Sequence, residues 1–136
     1  MNYLDTSALI RAWRLNAVPA GITRSHAVTE FYRTLTGGIT VPIKGVMTRV
    51  QFAPAEAATG AQATFAAVTF RDLTGAQSLE ETAAAAKANI QGANIHDWMH
   101  AAVARREGCK RIVTTNAQHF RTVSRLPLLD PSELFA

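Results

Sequence analysis

Residues 1–10, MNYLDTSALI, decide how the rest of the chain is read. Tyr3 and Leu4 form a short apolar strand, and the chain then meets Asp5 and two hydroxyl residues, Thr6 and Ser7. Ala8, Leu9, Ile10 and Trp13 follow at helical spacing, so Thr6 or Ser7 can cap a helix there. A strand that passes directly into a helix is an α/β beginning. It leaves Asp5 with two readings, a helix cap or the first piece of a site.

The alternation continues outward from that stretch. In GITRSHAVTEFYRTLTGG (21–38) a brief strand at Ile22 and Thr23 leads to a helix starting at Ser25, with an apolar stripe of Ala27, Val28, Phe31 and Leu35 and a stop at Gly37. Pro42 and Gly45 make ITVPIKGVMTRVQF (39–52) a loop with an irregular stretch, and Pro54 opens an alanine-rich helix near 54–66. AAVTFRDL (66–73) reads as a strand. Ser78 with Glu81 has capping-box spacing and opens a helix that Gly92 closes. NIHDWMHAAVARREG (94–108) is a helix ending at Gly108, RIVTT (111–115) a strand, and Asn116 the next turn into a helix. A last short strand falls near Leu128, with a turn after Pro131. Strands alternating with helices predict an α/β fold with a short, mainly parallel central sheet flanked by helices, in a single domain over residues 1–136.

Composition sets the outer limits. With 136 residues, 48% hydrophobic and 18% charged, the chain has one domain's worth of core. No apolar run approaches the length of a bilayer span and no leader pattern precedes the first strand, so the expected location is cytoplasmic and no membrane is expected as a partner. Cys109 is the single cysteine, which excludes an intrachain disulfide and a cysteine-built zinc site and predicts a small buried hydrophobe. The net charge of +4 favours anionic partners. Its distribution says more, because Arg11 and Arg14 cluster in one helix and Arg105, Arg106, Lys110 and Arg111 at the end of another.

Three acids sit in apolar company: Asp5 in NYLDTSAL, Glu30 in HAVTEFYR and Asp97 in NIHDWMHA. In an open parallel sheet, sites form outside the carboxyl ends of the strands, where Asp5 falls. Grouped carboxylates raise one another's pKa unless a cation lies between them, and hard oxygen donors suit Mg²⁺ or Mn²⁺. Each acid also has a structural reading. Asp5 can be an N-cap, Asp97 a favourable charge in a helix's first turn, and Glu30 a solvent-facing residue at the edge of its stripe.

The motifs YLDTSALI, SHAVTEFYRTLTG and NIHDWMHAAVARREGCKRIVTTNAQHF, spanning nearly the whole chain, resemble those of PIN-domain ribonucleases, and of the VapC-type toxins in particular. The resemblance implies a three-layer α/β/α fold and a Mg²⁺- or Mn²⁺-dependent endoribonuclease that hydrolyses RNA phosphodiesters. In that family the enzyme is the toxin of a type II toxin–antitoxin pair that arrests growth or translation, often a homodimer, blocked by a small cognate antitoxin. By position, Asp5, Glu30 and Asp97 match the family's acidic metal ligands, and Thr6 or Ser7 the hydroxyl beside the first. Asn116 stands where many relatives have a fourth aspartate. It can hold a water or ligate through its carbonyl oxygen but brings no charge, and it is equally a good N-cap.

Arg11, Arg14, Arg105 and Arg106 are candidates for phosphate contacts, set against the ordinary reading of a solvated basic face. Trp13, Trp98 and Phe120 can stack on bases or pack in the core, with Trp98 the best placed, directly after Asp97. His96 and His100 lie four apart on one helix. No further Cys or His cluster completes a zinc tetrahedron, so the histidines are expected to be partly exposed, with His26 and His119 isolated. An aspartyl-phosphate phosphatase also begins with a strand ending in Asp but needs a second Asp where Ser7 stands. The remaining alternatives are a PIN-like module that binds RNA or a partner without cutting it, and a housekeeping RNA-processing nuclease.

Overall fold

Adjacent residues of the central strands face opposite layers, and the sequence supplies an apolar side chain for each. The computed structural model describes residues 1–135. In chain order the elements are β1 (Asn2–Leu4), α1 (Thr6–Arg14), β2 (Gly21–Thr23), α2 (His26–Gly37), β3 (Ile39–Ile43), β4 (Val46–Val50), α3 (Pro54–Thr64), β5 (Val68–Phe70), α4 (Gly75–Lys87), α5 (Asn94–Arg106), β6 (Arg111–Val113), α6 (Ala117–Arg121), β7 (Leu128–Leu129) and α7 (Ser132–Phe135). Tyr3 and Ile112 pack with Ala101, Val103, Ala104 and Phe120 on one face, while Leu4 and Val113 pack with Leu9, Ala27, Phe31, Leu35 and Ala57 on the other. Two cores on the two faces of one sheet make a three-layer α/β/α arrangement, the helix-flanked sheet that the alternation of elements predicts.

The five-stranded sheet has the order β5-β2-β1-β6-β7, all parallel. From β1 the chain moves outward through β2 and β5, then returns to β6 on the other side of β1 and continues to β7. This reversal puts the topological switch at the central strand, so the crevice that parallel sheets use for ligands opens where β1 and β6 end, at Asp5 and Thr114. Among the described residues no helix is long and apolar enough to cross a membrane.

Several boundaries differ from the sequence reading. The cap of α1 is Asp5, whose carboxylate accepts from the Ala8 amide, and Thr6 and Ser7 lie inside the helix. The stretch 39–52 is a β-hairpin closed by Lys44 and Gly45, both at positive φ (49° and 79°), a two-residue turn whose twist matches that of the strands. Pro42 is tolerated because Ile43↔Val46 flank the turn as the hydrogen-bonded pair. The next pair, Pro42↔Met47, therefore needs no N–H between the strands. The capping box of α4 lies four residues before the expected one, at Thr74, whose hydroxyl and backbone exchange hydrogen bonds with Gln77. The helix ends at Lys87, followed by Asn89 at φ 58°, well before Gly92. Glu81 is thereby freed from capping and turns toward α5. Cys109 is buried at 4% exposure just before β6.

Candidate active site

Asp5 has both roles that the sequence left open. It caps α1 and it sits at the carboxyl end of the central strand, 5% exposed. Its Oδ1 accepts from the Ala8 amide at 3.0 Å and from the Ser7 hydroxyl at 2.6 Å, and its Oδ2 accepts from the Thr114 hydroxyl at 2.7 Å. The Thr115 amide donates to Ser7 Oγ and the Asn116 amide to Thr114 Oγ1, each at 2.9 Å. A hydroxyl has one proton to give, so with amides filling their acceptor sides both hydroxyls direct that proton to Asp5. Burial pushes the Asp5 carboxyl above the ordinary carboxylate range. Its bonds from Ser7, Thr114 and Ala8, and the charge of His100, pull the other way without offsetting it.

Glu30, on the second turn of α2, faces the same end of the sheet. Its Oε1 accepts from the Thr6 hydroxyl at 3.1 Å and stands 3.1 Å from His100 Nε2 and 3.6 Å from His26 Nε2. Burial raises its pKa, but hydrogen bonding and charge from His100, then His26 and Thr6, outweigh that and hold the carboxyl below its usual range. The other ring nitrogen of His100, Nδ1, meets the Tyr3 hydroxyl. Tyr3 is fully buried and burial raises its phenol pKa, so the phenol keeps its proton. The ionised Glu30 carboxylate can only accept, so Nε2 carries a proton and donates it to Oε1. Tyr3, His100, Glu30 and Thr6 form one hydrogen-bonded chain joining β1, α5, α2 and α1.

Asp97, in the first turn of α5, is partly buried, with His119 Nδ1 3.9 Å from its Oδ2. Burial raises its pKa and Glu30 adds to that, against the lowering influence of His100 and His119. His100 bonds Glu30 and lies three residues after Asp97 on α5, and Thr6, next to Asp5, donates to the same Glu30, so the three acids gather at one end of the sheet. The structure thus corrects the reading of the histidines. His100 is 3% exposed and central, His26 and His96 stack with ring centroids 5.6 Å apart, and His119 faces Asp97. The signal was present in the four-residue spacing of His26 with Glu30 and of His96 with His100 around Asp97.

The remaining candidates divide by distance from this centre. Thr6 and Ser7 serve Glu30 and Asp5 with their hydroxyls. Asn116 is exposed at the rim. Its backbone starts α6 but its side chain makes no cap bond, contrary to the capping role, and it lines a cavity of about 320 Å³ with His119 and Arg121. Arg11 and Arg14 lie in the last turn of α1, Arg14 about 13 Å of helical rise from Asp5. Trp13 packs between Phe31 and Phe52 and against Gly60, where a Cβ would come within 2.7 Å of its indole nitrogen. Phe120 is fully buried core. Arg105 is engaged by both oxygens of Glu81 at 2.8 Å, and Trp98 Nε1 donates to the same carboxylate at 3.2 Å.

Among the described residues no group of three or more His, Cys, Asp or Glu side chains is arranged to hold a metal ion. The donor chemistry nevertheless fits a hard divalent cation. Asp5 is buried with only uncharged donors, Asp97 has no Lys or Arg partner, and both carboxyls are raised in pKa, the condition that a bound cation relieves. No protein-family model matches the chain, and no curated protein matches it.

Proposed function

We propose that this chain is a PIN-type, Mg²⁺- or Mn²⁺-dependent endoribonuclease that hydrolyses RNA phosphodiesters. The observation that carries the reading is Asp5, a buried carboxylate without a cationic side chain, at the switch point of a parallel sheet beside Glu30 and Asp97. The resemblance of its motifs to VapC-type toxins extends the proposal to a toxin held in check by a cognate antitoxin, working in the cytoplasm as a homodimer.

In this reading Asp5, Glu30 and Asp97 hold the ion. The bound metal would lower the pKa of a water and neutralise charge on the phosphodiester. The protein's own part is positioning. Ser7, Thr114 and the Ala8 amide fix the Asp5 carboxylate in one orientation, so no reorganisation is needed when substrate arrives. His100, oriented by Tyr3, keeps Glu30 ionised and turned inward. Asn116 offers an uncharged amide at the rim, able to donate to a phosphate oxygen where a carboxylate would repel it.

The test is cleavage of total cellular RNA by purified protein with Mg²⁺, Mn²⁺ or EDTA, beside Asp5→Asn and Asp97→Asn proteins shown to be folded by circular dichroism. Metal-dependent fragments should fall in both variants by more than the roughly 10–100-fold that loss of an outer partner costs. Cleavage that survives both substitutions sinks the proposal. A second reading, an RNA- or partner-binding module without catalysis, is favoured by Glu30 being hydrogen-bonded to His100 and by the uncharged Asn116. Wild-type protein that binds RNA and leaves it intact under every metal condition would establish that reading instead.

A further inference from the structure

We propose that the cavity between α5 and the segment after α6 is a nucleotide-binding groove that receives the single strand of RNA next to the scissile site, an inference that rests on the nuclease reading. The cavity, about 640 Å³, has a floor of Val123 and Leu126, the indole of Trp98 on one side, and Arg105, Arg121 and Arg125 around it. A flat indole and an apolar floor among guanidinium groups offer a stacking surface for a base and donors for the phosphates that flank it. Two of the arginines bring uncompensated charge. Arg105 is neutralised by Glu81, whereas among the described residues neither Arg121 nor Arg125 pairs with a carboxylate.

The groove is also joined to the carboxylates. Arg121 lines both this cavity and the smaller one formed with Asn116 and His119, and Trp98 directly follows Asp97 on α5. A strand whose phosphate lies at Asp5, Glu30 and Asp97 can therefore pass Asn116, cross Arg121 and lay its next base on Trp98. The indole is already fixed for this. Its Nε1 donates to Glu81, which Arg105 and Arg106 hold in place, so little rotamer freedom is lost when a base stacks. An acidic protein segment would use the cations but leave the indole and the apolar floor without a matching group.

The experiment is fluorescence anisotropy of a labelled single-stranded RNA of about twelve nucleotides, in EDTA so that binding is read without cutting. An Arg121→Ala/Arg125→Ala protein should bind at least about tenfold more weakly, with a salt slope shallower by about 1.4, some 0.7 for each lost phosphate contact on a single strand. Trp98→Phe should retain binding better than Trp98→Ala, which should lose about tenfold. Arg33→Ala/Lys44→Ala, which removes the same charge elsewhere, should bind like the wild type. Equal affinity in the Arg121/Arg125 double variant overturns the groove, as does wild type that binds no RNA. An oligoglutamate of equal charge that displaces the RNA as well as unlabelled RNA does would assign the surface to an acidic protein segment instead. Weakened binding in the double variant, with wild type that cuts no RNA, upholds the groove and removes the nuclease reading. Asp5-dependent cleavage with unchanged binding in the double variant does the reverse.

Discussion

Glu81 and Asp5 are buried to nearly the same degree, 3% and 5% exposed, and the chain surrounds them with different chemistry. Glu81, on α4, accepts both guanidinium bonds of Arg105 and one from Arg106, each at 2.8 Å, and a fourth from Trp98. Burial raises its pKa, but the two arginines more than reverse that, and the carboxyl titrates below its ordinary range. Asp5 receives three bonds from uncharged donors, and its carboxyl stays above the ordinary range. Glu81 is thus a finished structural pair that clamps α4 to α5. Asp5 has no Lys or Arg bonded to it to balance a charge, which is the state expected of a group awaiting a cation or a proton.

Substitution of Glu81 tests the structural half of that contrast and carries the largest expected loss of stability. Glu81→Gln should lower the free energy of unfolding by about 2 kcal/mol, less than the 3–5 for one partner of a fully buried pair because Arg105 is half exposed and can turn to water. RNA cleavage per folded molecule should hold. Urea unfolding together with the cleavage assay checks both, and a loss of activity without loss of stability would move Glu81 into the site.

Tyr3→Phe sharpens the functional half. It removes the hydrogen-bond partner of His100 Nδ1 in a fully buried position, so about 1–2 kcal/mol should be lost in urea unfolding, the usual penalty for leaving one buried polar partner unmet. Cleavage should fall less than in Asp5→Asn, because Glu30 keeps its bond from Thr6. A Tyr3→Phe protein as stable as the wild type would show that the phenol does not orient the imidazole.

How far the sequence foretold this contrast depended on the range of the interaction. Asp5, Glu30 and Asp97 stood out as candidates because each acid interrupts an apolar pattern, a local signal. The alternation of strands and helices likewise gave the parallel, helix-flanked sheet. His100 was not legible as the centre of the site, since its partners Tyr3 and Glu30 lie 97 and 70 residues away and only the packing of α5 on β1 and α2 brings them together. Glu81 was misread for the same reason. Ser78 and Glu81 have the spacing of a capping box, but Thr74 and Gln77 have an equivalent one, and the arginines of α5 decide between them. The hairpin at 39–52 was hidden by Pro42, whose missing N–H matters only once the register is known.

The smallest expected effect separates the two carboxylates by sign. Glu81, with its pKa lowered in the folded state, adds stability that is complete above its unfolded pKa and is lost as pH falls through the folded value. Asp5 has its pKa raised by burial, so the folded state holds its proton more tightly than the unfolded chain does, and ionisation works against folding as pH rises through the folded pKa. Asn in place of Asp5 is uncharged at every pH and still offers its Oδ1 to Ser7 and the Ala8 amide, while its new N–H₂ faces Thr114 Oγ1, whose own proton can turn away. In EDTA, Asp5→Asn should therefore melt higher than the wild type at neutral pH, by about 3 °C, the shift that ~1 kcal/mol makes in a chain of this size. The difference should shrink as pH drops toward the unfolded aspartate pKa, where both side chains are neutral. Saturating Mn²⁺ should raise the wild-type Tm and leave the variant's nearly unchanged, because the ion supplies the positive charge that Glu81 already draws from Arg105 and Arg106. A variant that melts below the wild type at neutral pH, without metal, would mean that Asp5 is a satisfied helix cap like any other, and the contrast with Glu81 would disappear.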